Sequence, residues 1–213
     1  AFINVGEIEV RDGVLQTFGS TRIATNGSPL VLNGGTLRMG SVAAPIDRPV
    51  FFTNGTVHVV ANAQPANNRF LGTITLGAAG TFLIEPDRVG TVSGEITGPG
   101  DLIKTGGGYL ALEAVNTYTG NTIISNGVLE LFSHSSAFPV GSIANSANIH
   151  IAPGAGLDVY NVLPAWTLEA HQTLTGGGNV NGNLDANGTI APGSGNVLGW
   201  LGIGYNLSLA GTN

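Results

Sequence analysis

With 213 residues, a net charge of −6 and a single lysine, the chain is long enough for a core of its own but cannot assemble the basic patch that nucleic acid or an anionic lipid surface requires. It has no cysteine, which excludes disulfide scaffolds, cysteine nucleophiles and thiolate metal sites, and no window approaches 18 unbroken apolar residues, which argues against a membrane-spanning helix. Only 9% of residues are charged while glycine, at 34, is about twice as common as usual, so Gly, Asn, Thr and Ser supply the polar surface, as suits an all-β chain with many tight corners.

Residues 1–60 repeat simply. Asp12-Gly13-Val14-Leu15, Asn33-Gly34-Gly35-Thr36-Leu37 and Asn54-Gly55-Thr56-Val57 place their first glycines at 13, 34 and 55, a spacing of 21 each time. A period near 20 residues is what one coil of a solenoid needs. Leu37 with Met39 and Val57 with Val59 form inward-facing pairs, and Arg38 and His58 between them face solvent. Residues 61–99 keep the pattern at looser spacing. Asn62 to Arg69 is a polar loop, strands follow around Thr73–Leu76, Phe82–Ile84 and Val92–Ile96, and Pro45, Pro49, Pro65, Pro86 and Pro99 punctuate strand ends.

The most regular stretch is GDLIKTGGGYLALEAVNTYTGNTIISNGVLEL, residues 100–131. Leu102, Lys104, Gly106, Gly108, Leu110 and Leu112 recur every second residue, which puts all six on one side of a strand. Asn116-Thr117-Tyr118-Thr119-Gly120 interrupts the alternation with turn formers. Thr122 and Ile124, the turn Asn126-Gly127, then Leu129 and Leu131 resume it. The stretch closely resembles the autotransporter-associated β-strand repeat, also called the passenger-associated transport repeat. Gly100, Leu102, Lys104, Gly106, Gly108, Leu110, Leu112, Asn116 to Gly120, Thr122, Ile124, Gly127, Leu129 and Leu131 match its pattern, and Ala114 departs from it where a glycine is usual. The resemblance implies an extracellular segment of a passenger exported across the outer membrane, with these coils aiding secretion by folding progressively outside.

Ser133 to Gly141 reads as a corner or a very short helical turn. Ile149, Ile151, Leu157 and Val159 resume the alternation, and residues 173–213 carry further Gly- and Asn-rich corners between Leu174, Val180, Leu184, Ile190, Leu207 and Leu209. The six Asn-Gly pairs, at 26, 33, 54, 126, 181 and 187, would also suit antiparallel hairpins. The 21-residue spacing is too long for simple hairpins, so parallel strands between coils are expected. The fold class is therefore all-β, a right-handed parallel β-helix (β-solenoid) of roughly ten coils, with a length of about 50 Å at the strand spacing. Residues 1–213 are expected to form one solenoid unit, a fragment or processed piece of a longer secreted protein. Reading Asn213 into Ala1 and Phe2 loosely echoes the 116–131 motif, as end-to-end stacking of copies or a cut from a longer solenoid would both produce.

Chemistry is sparse. A polysaccharide-active enzyme on such a scaffold needs clustered carboxylates. Asp12, Asp47, Asp87, Asp101, Asp158 and Asp185 are scattered singly, and Glu7 with Glu9, Asp47 with Arg48 and Asp87 with Arg88 read as solvated rims or turns, although carboxylates distant in sequence can converge in a solenoid. His58, His134, His150 and His171 lack metal-ligand spacing, with His58 and His150 read as exposed strand positions. Gly176–Asn181 lacks the Asp of calcium-binding nonapeptides, and Gly106-Gly107-Gly108 precedes no helix and so cannot cradle phosphate. The Thr-X-Thr triplets at 73, 117 and 173 are too far apart for a stacked ice-binding array. Trp166 and Trp200 read as half-buried loop anchors, with sugar stacking as the alternative. The expectation is a structural surface protein, not an enzyme, with no cofactor and no metal. It acts as a stalk or adhesin passenger, or as a filament subunit. Its partners are adjoining solenoid segments or further copies, and surface glycans, with no nucleic acid and no membrane insertion. A glycan-binding adhesin or polysaccharide-active enzyme is the alternative.

Overall fold

The computed structural model describes residues 7–17, 23, 27–40, 45–60, 68–132, 141–194 and 197–210, with strands and corners but no helix among them. Strands β1 (Ile8–Arg11), β3 (Leu30–Asn33), β5 (Val50–Phe52), β8 (Ile74–Leu76) and β11 (Ile96–Thr97) form one sheet. A second orders β7 (Arg69–Phe70), β10 (Val89–Val92), β13 (Tyr109–Leu112), β15 (Val128–Leu131), β17 (Gly156–Asp158), β20 (Asn179–Asn181) and β24 (Gly202–Ile203). The third and longest runs β2 (Val14–Thr17), β4 (Thr36–Met39), β6 (Gly55–Val59), β9 (Gly80–Ile84), β12 (Leu102–Thr105), β14 (Thr122–Ile124), β16 (Asn148–Ile151), β19 (Thr173–Gly176), β22 (Thr189–Ser194) and β23 (Val197–Leu198). The fourth holds β18 (Trp166–Leu168), β21 (Leu184–Ala186) and β25 (Leu207–Leu209).

Successive coils pair in parallel, which makes the fold a β-solenoid. The one antiparallel strand pair among the described residues is β22 with β23, and no Asn-Gly pair lies in it. In the third sheet a single outward register runs Val14, Thr36, Thr56, Thr81, Ile103, Ile123, His150, Thr175 and Ala191. That is eight coil-to-coil steps of 16 to 27 residues, so the solenoid is as expected but the count of roughly ten coils is corrected. The physical reason is chain used per coil: the steps from Thr56 to Thr81, Ile123 to His150 and His150 to Thr175 take 25, 27 and 25 residues rather than about 20. The regular 13–34–55 spacing also gives way to a register of 13, 35 and 55, because Val14 pairs with Thr36 and Thr36 with Thr56.

The alternation that marks the strands also builds the core. Leu30, Val50, Ile74 and Ile96 stack as one inward ladder, and Leu32, Phe52 and Leu76 as the next. Phe52, Phe70 and Phe82 meet inside, with ring centroids 5.6 and 6.0 Å apart. Each such side chain contributes about 1.5–3 kcal/mol by leaving water. Corners are held open by backbone geometry: Gly34, Gly106 and Gly127 have positive φ, whereas at the 54–55 pair Asn54 itself takes that conformation, at φ 90°. The expected corner at Ser133 to Gly141 lies mostly outside the described residues. So do most of the Asn62–Arg69 loop and the Asn213, Ala1 and Phe2 echo.

Candidate functional site

The 100–131 motif folds as laced coils. Leu102, Lys104, Gly108, Leu110 and Leu112 are buried, but they do not share one strand: Gly106, at φ 75°, turns the chain between β12 and β13. Lys104 occupies an inward column between Phe82 and Ile124. Its Nζ donates to the Thr105, Gly106 and Asn126 carbonyls at 2.9, 2.7 and 3.0 Å. Burial lowers its pKa from 10.5 to about 8. Gly127 is required beneath it, since a Cβ there would lie 2.4 Å from two carbonyl oxygens and 2.8 Å from Nζ.

Asn116 joins three coils. Its Oδ1 accepts from the Ile96 N–H at 2.9 Å, and its Nδ2 donates to the Ala114 and Ser142 carbonyls at 3.0 and 2.9 Å. Tyr118 is buried and its hydroxyl lies 2.6 Å from Thr122 Oγ1, which donates to Ser146 Oγ at 2.8 Å, which in turn reaches the Gly120 carbonyl at 2.9 Å. Burial pushes the Tyr118 phenol well above its ordinary range. Gly100 and Gly120 sit where a Cβ would come within 2.0 and 2.1 Å of the carbonyl of the preceding coil. Thr117 lies at the surface and donates to Glu95 at 2.6 Å, and Leu129 and Leu131 return to the core.

The outward side of the second sheet gathers acidic, amide and aromatic side chains. One column runs Tyr109, Val128, Gly156, Asn179 and Gly202, and the next runs Ala111, Glu130, Asp158 and Asn181. Glu130 and Asp158 are thus direct register partners. Burial, then the charge of Asp158, raises the Glu130 pKa. Asp158 Oδ1 accepts from the Tyr160 N–H at 3.0 Å and Oδ2 from Asn181 Nδ2 at 2.8 Å. Asn161 Nδ2 reaches Glu130 at 3.4 Å. Two depressions that share Asn179 and Asn181 open on this side, about 410 Å³ around Trp200 and 250 Å³ over Gly156, and a third of about 330 Å³ lies past the strand ends around the Tyr160–Tyr205 pair.

The family model described as passenger-associated-transport-repeat matches residues 102–131. The chain carries a passenger-associated transport repeat. It is also similar to a protein named adhesin BmaC autotransporter from Brucella suis biovar 1 (strain 1330), 33% identical over 192 residues, which covers 86% of this chain and 5% of that protein. The chain therefore spans about a twentieth of the length of that relative. No solved structure matches it.

The transport repeat meets the aromatic-lined depressions at Tyr109 and Val128, which lie within it and line the depression over Gly156. Within the repeat, Tyr118 is a packing residue at the corner. Outside it, several assignments change. Arg48 is buried, with Nε donating to the Ser28 carbonyl at 2.9 Å, so Asp47-Arg48 is not a solvated rim: the guanidinium fills the corner above the preceding coil. His58 is half-buried and lies 2.8 Å from Glu85, and His150 lies 3.1 Å from Thr175, so neither is a plain exposed strand position. Trp166 is buried on β18 whereas Trp200 is exposed, so neither is the half-buried anchor that the sequence suggests. Thr36, Thr56 and Thr81 do stack in one column, which the sequence reading missed, before Ile103 and Ile123 replace them. Sequence reasoning also missed Glu130, Tyr160, Asn179 and Tyr205. Among the described residues no group of three His, Cys, Asp or Glu side chains is placed to hold a metal.

Proposed function

We propose that the chain is a segment of an exported bacterial surface passenger: an extracellular, non-enzymatic β-solenoid that acts as stalk and adhesive surface. The observation that carries this reading is the transport repeat itself, folded as coils laced by Asn116 and Lys104 within a continuous parallel stack. The similarity to an adhesin autotransporter supports it. Continuation of the rod by covalently adjoining coils is preferred over end-to-end filament assembly, because the matched relative is about twenty times longer than the aligned region. The test is to fuse the chain upstream of an autotransporter translocator barrel in a Gram-negative host and label intact cells with antibody to the chain. Surface labelling with a protease-resistant core is expected. Labelling only after permeabilisation overturns the reading.

One observation favours a polysaccharide-cleaving enzyme instead, the Glu130 and Asp158 pair on adjacent strands. Each Asp158 oxygen already accepts a hydrogen bond within the protein, which suits a fixed acceptor better than a nucleophile or a mobile base. Release of reducing ends from neutral polysaccharides, abolished by Glu130→Gln, would reverse that preference.

A further inference from the structure

Gly156 is a glycine without a structural reason. Its φ is not positive, and a Cβ built on it would meet nothing closer than 3.7 Å, so neither the backbone nor packing demands it. This contrasts with Gly100, Gly120 and Gly127, where neighbouring carbonyls forbid a side chain. What a side chain at 156 would do is fill the depression between Tyr109, Val128 and Asn179 on the outward side of the second sheet. The same side concentrates exposed aromatic rings: Trp200 is 72% exposed, Tyr160 57%, Tyr205 56% and Tyr109 45%. Tyr160 and Tyr205 stand two coil steps apart and meet across the intervening coil, with centroids 5.6 Å apart. Aromatic rings clustered at the surface beside open depressions are the arrangement that ligand sites use.

The polar groups between the rings are of one kind. Asn179 and Asn181 line both the Gly156 and the Trp200 depressions, and Asn183 lines that of the tyrosine pair. Amides present donor and acceptor together, and the Asp158 carboxylate keeps lone pairs for hydroxyl donors beyond the two bonds it already accepts. Aromatic faces beside convergent amides and a carboxylate match a pyranose ring, with its apolar C–H face and its rim of hydroxyls. The Trp200 depression, about 410 Å³, lies within the usual range for small-ligand clefts of about 300–1,000 Å³, and it shares Asn179 and Asn181 with the depression over Gly156. Successive coils rise by about 4.8 Å, close to the span of one sugar ring. Charge narrows the class. Among the described residues the outward columns of this sheet hold one cation, Arg69, which is bonded to Glu113 at 2.7 Å, whereas Glu130 and Asp158 are both acidic. A sialylated, uronic or sulfated ligand would meet repulsion here.

We propose that this face binds a neutral glycan laid along the stack, with one ring seated over Gly156, the next against Trp200 across Asn179 and Asn181, and a lateral contact to the Tyr160–Tyr205 pair beyond the strand ends. The proposal rests on the adhesin reading and names the ligand class that such an adhesin would take. The experiment uses the labelled 213-residue chain on a printed array of neutral, sialylated and sulfated oligosaccharides. Gly156→Leu, Trp200→Ala and Tyr160→Ala are run beside it, and each variant is checked by thermal melting. Signals confined to neutral oligosaccharides, reduced at least ~10-fold in Gly156→Leu and Trp200→Ala at an unchanged melting temperature, are expected. No neutral-glycan signal, preference for acidic glycans, or variants that bind like the parent chain would each overturn it. Should Gly156→Leu fail to fold, Trp200→Ala and Tyr160→Ala decide alone, since both rings stand in solvent. Loss of the glycan proposal leaves surface labelling of intact cells untouched, so the two readings fail separately.

Discussion

Replacing Asn116 by Asp changes one NH2 to an oxygen and little else in shape. The variant keeps an acceptor for the Ile96 N–H but aims its second oxygen at the Ala114 and Ser142 carbonyls, where Nδ2 now donates at 3.0 and 2.9 Å. Both carbonyls keep a backbone partner, from Ser142 N and Asn116 N respectively, so each lost bond costs near the low end of the usual range, about 1 kcal/mol. Burying a carboxylate against two oxygens adds about 1–3 kcal/mol, unless it protonates. The expected penalty at pH 7 is therefore ~3 kcal/mol or more. It shrinks at pH 4, where a protonated acid donates to one of the two carbonyls. Guanidinium melts at the two pH values measure it, and hydrogen exchange at the Ile96 amide locates it. A variant within ~1 kcal/mol of the parent at pH 7, or an equal penalty at pH 4, would refute the three-coil role of Asn116.

Three further outcomes follow from the same coils. Lys104 titrates near 8 in the folded chain against 10.5 for a free side chain. Between those values the unfolded chain holds a proton that the folded one has shed, so stability should climb with pH by up to ~3 kcal/mol in melts across that window, and Lys104→Met should remove the climb. Thr122→Val leaves the Tyr118 hydroxyl and Ser146 without their shared partner and should cost ~2 kcal/mol. Tyr118→Phe in that background should cost less than it does alone, as a double-mutant cycle would register. Gly100→Ala drives a Cβ to 2.0 Å from the Ala78 carbonyl and should lower stability by at least ~2 kcal/mol, whereas Gly156→Ala should be neutral.

Local pattern made most of the fold legible. Period-two alternation fixed which faces of Leu37, Val57, Leu110 and Leu129 turn inward, and it placed Lys104 inward although nothing in composition suggests a buried lysine. What it could not fix was the length of each coil. Loops set that length, and they repeat neither in size nor in composition, so the count fell from ten to eight and the glycine register shifted by one at Gly35. The candidate site depends on this quantity more than on any other. Glu130 and Asp158 stand 28 positions apart in the chain and become neighbours only because one coil happens to have that length. Gly156 looked like any other glycine until its surroundings showed that nothing needed it.

The direction of the hydrogen bonds has a mechanical consequence. Strand-to-strand bonds in a parallel stack point from coil to coil, along the long axis, so tension applied at the two ends loads the joints in series. In a series the weakest joint yields first. Between Ile96 and Ser142, Asn116 and Lys104 add side-chain tethers to the backbone ladder, and the Tyr118–Thr122–Ser146 hydroxyl chain adds another. Under tension this stretch would part late, leaving an intact knot of coils while joints without such tethers pay out chain.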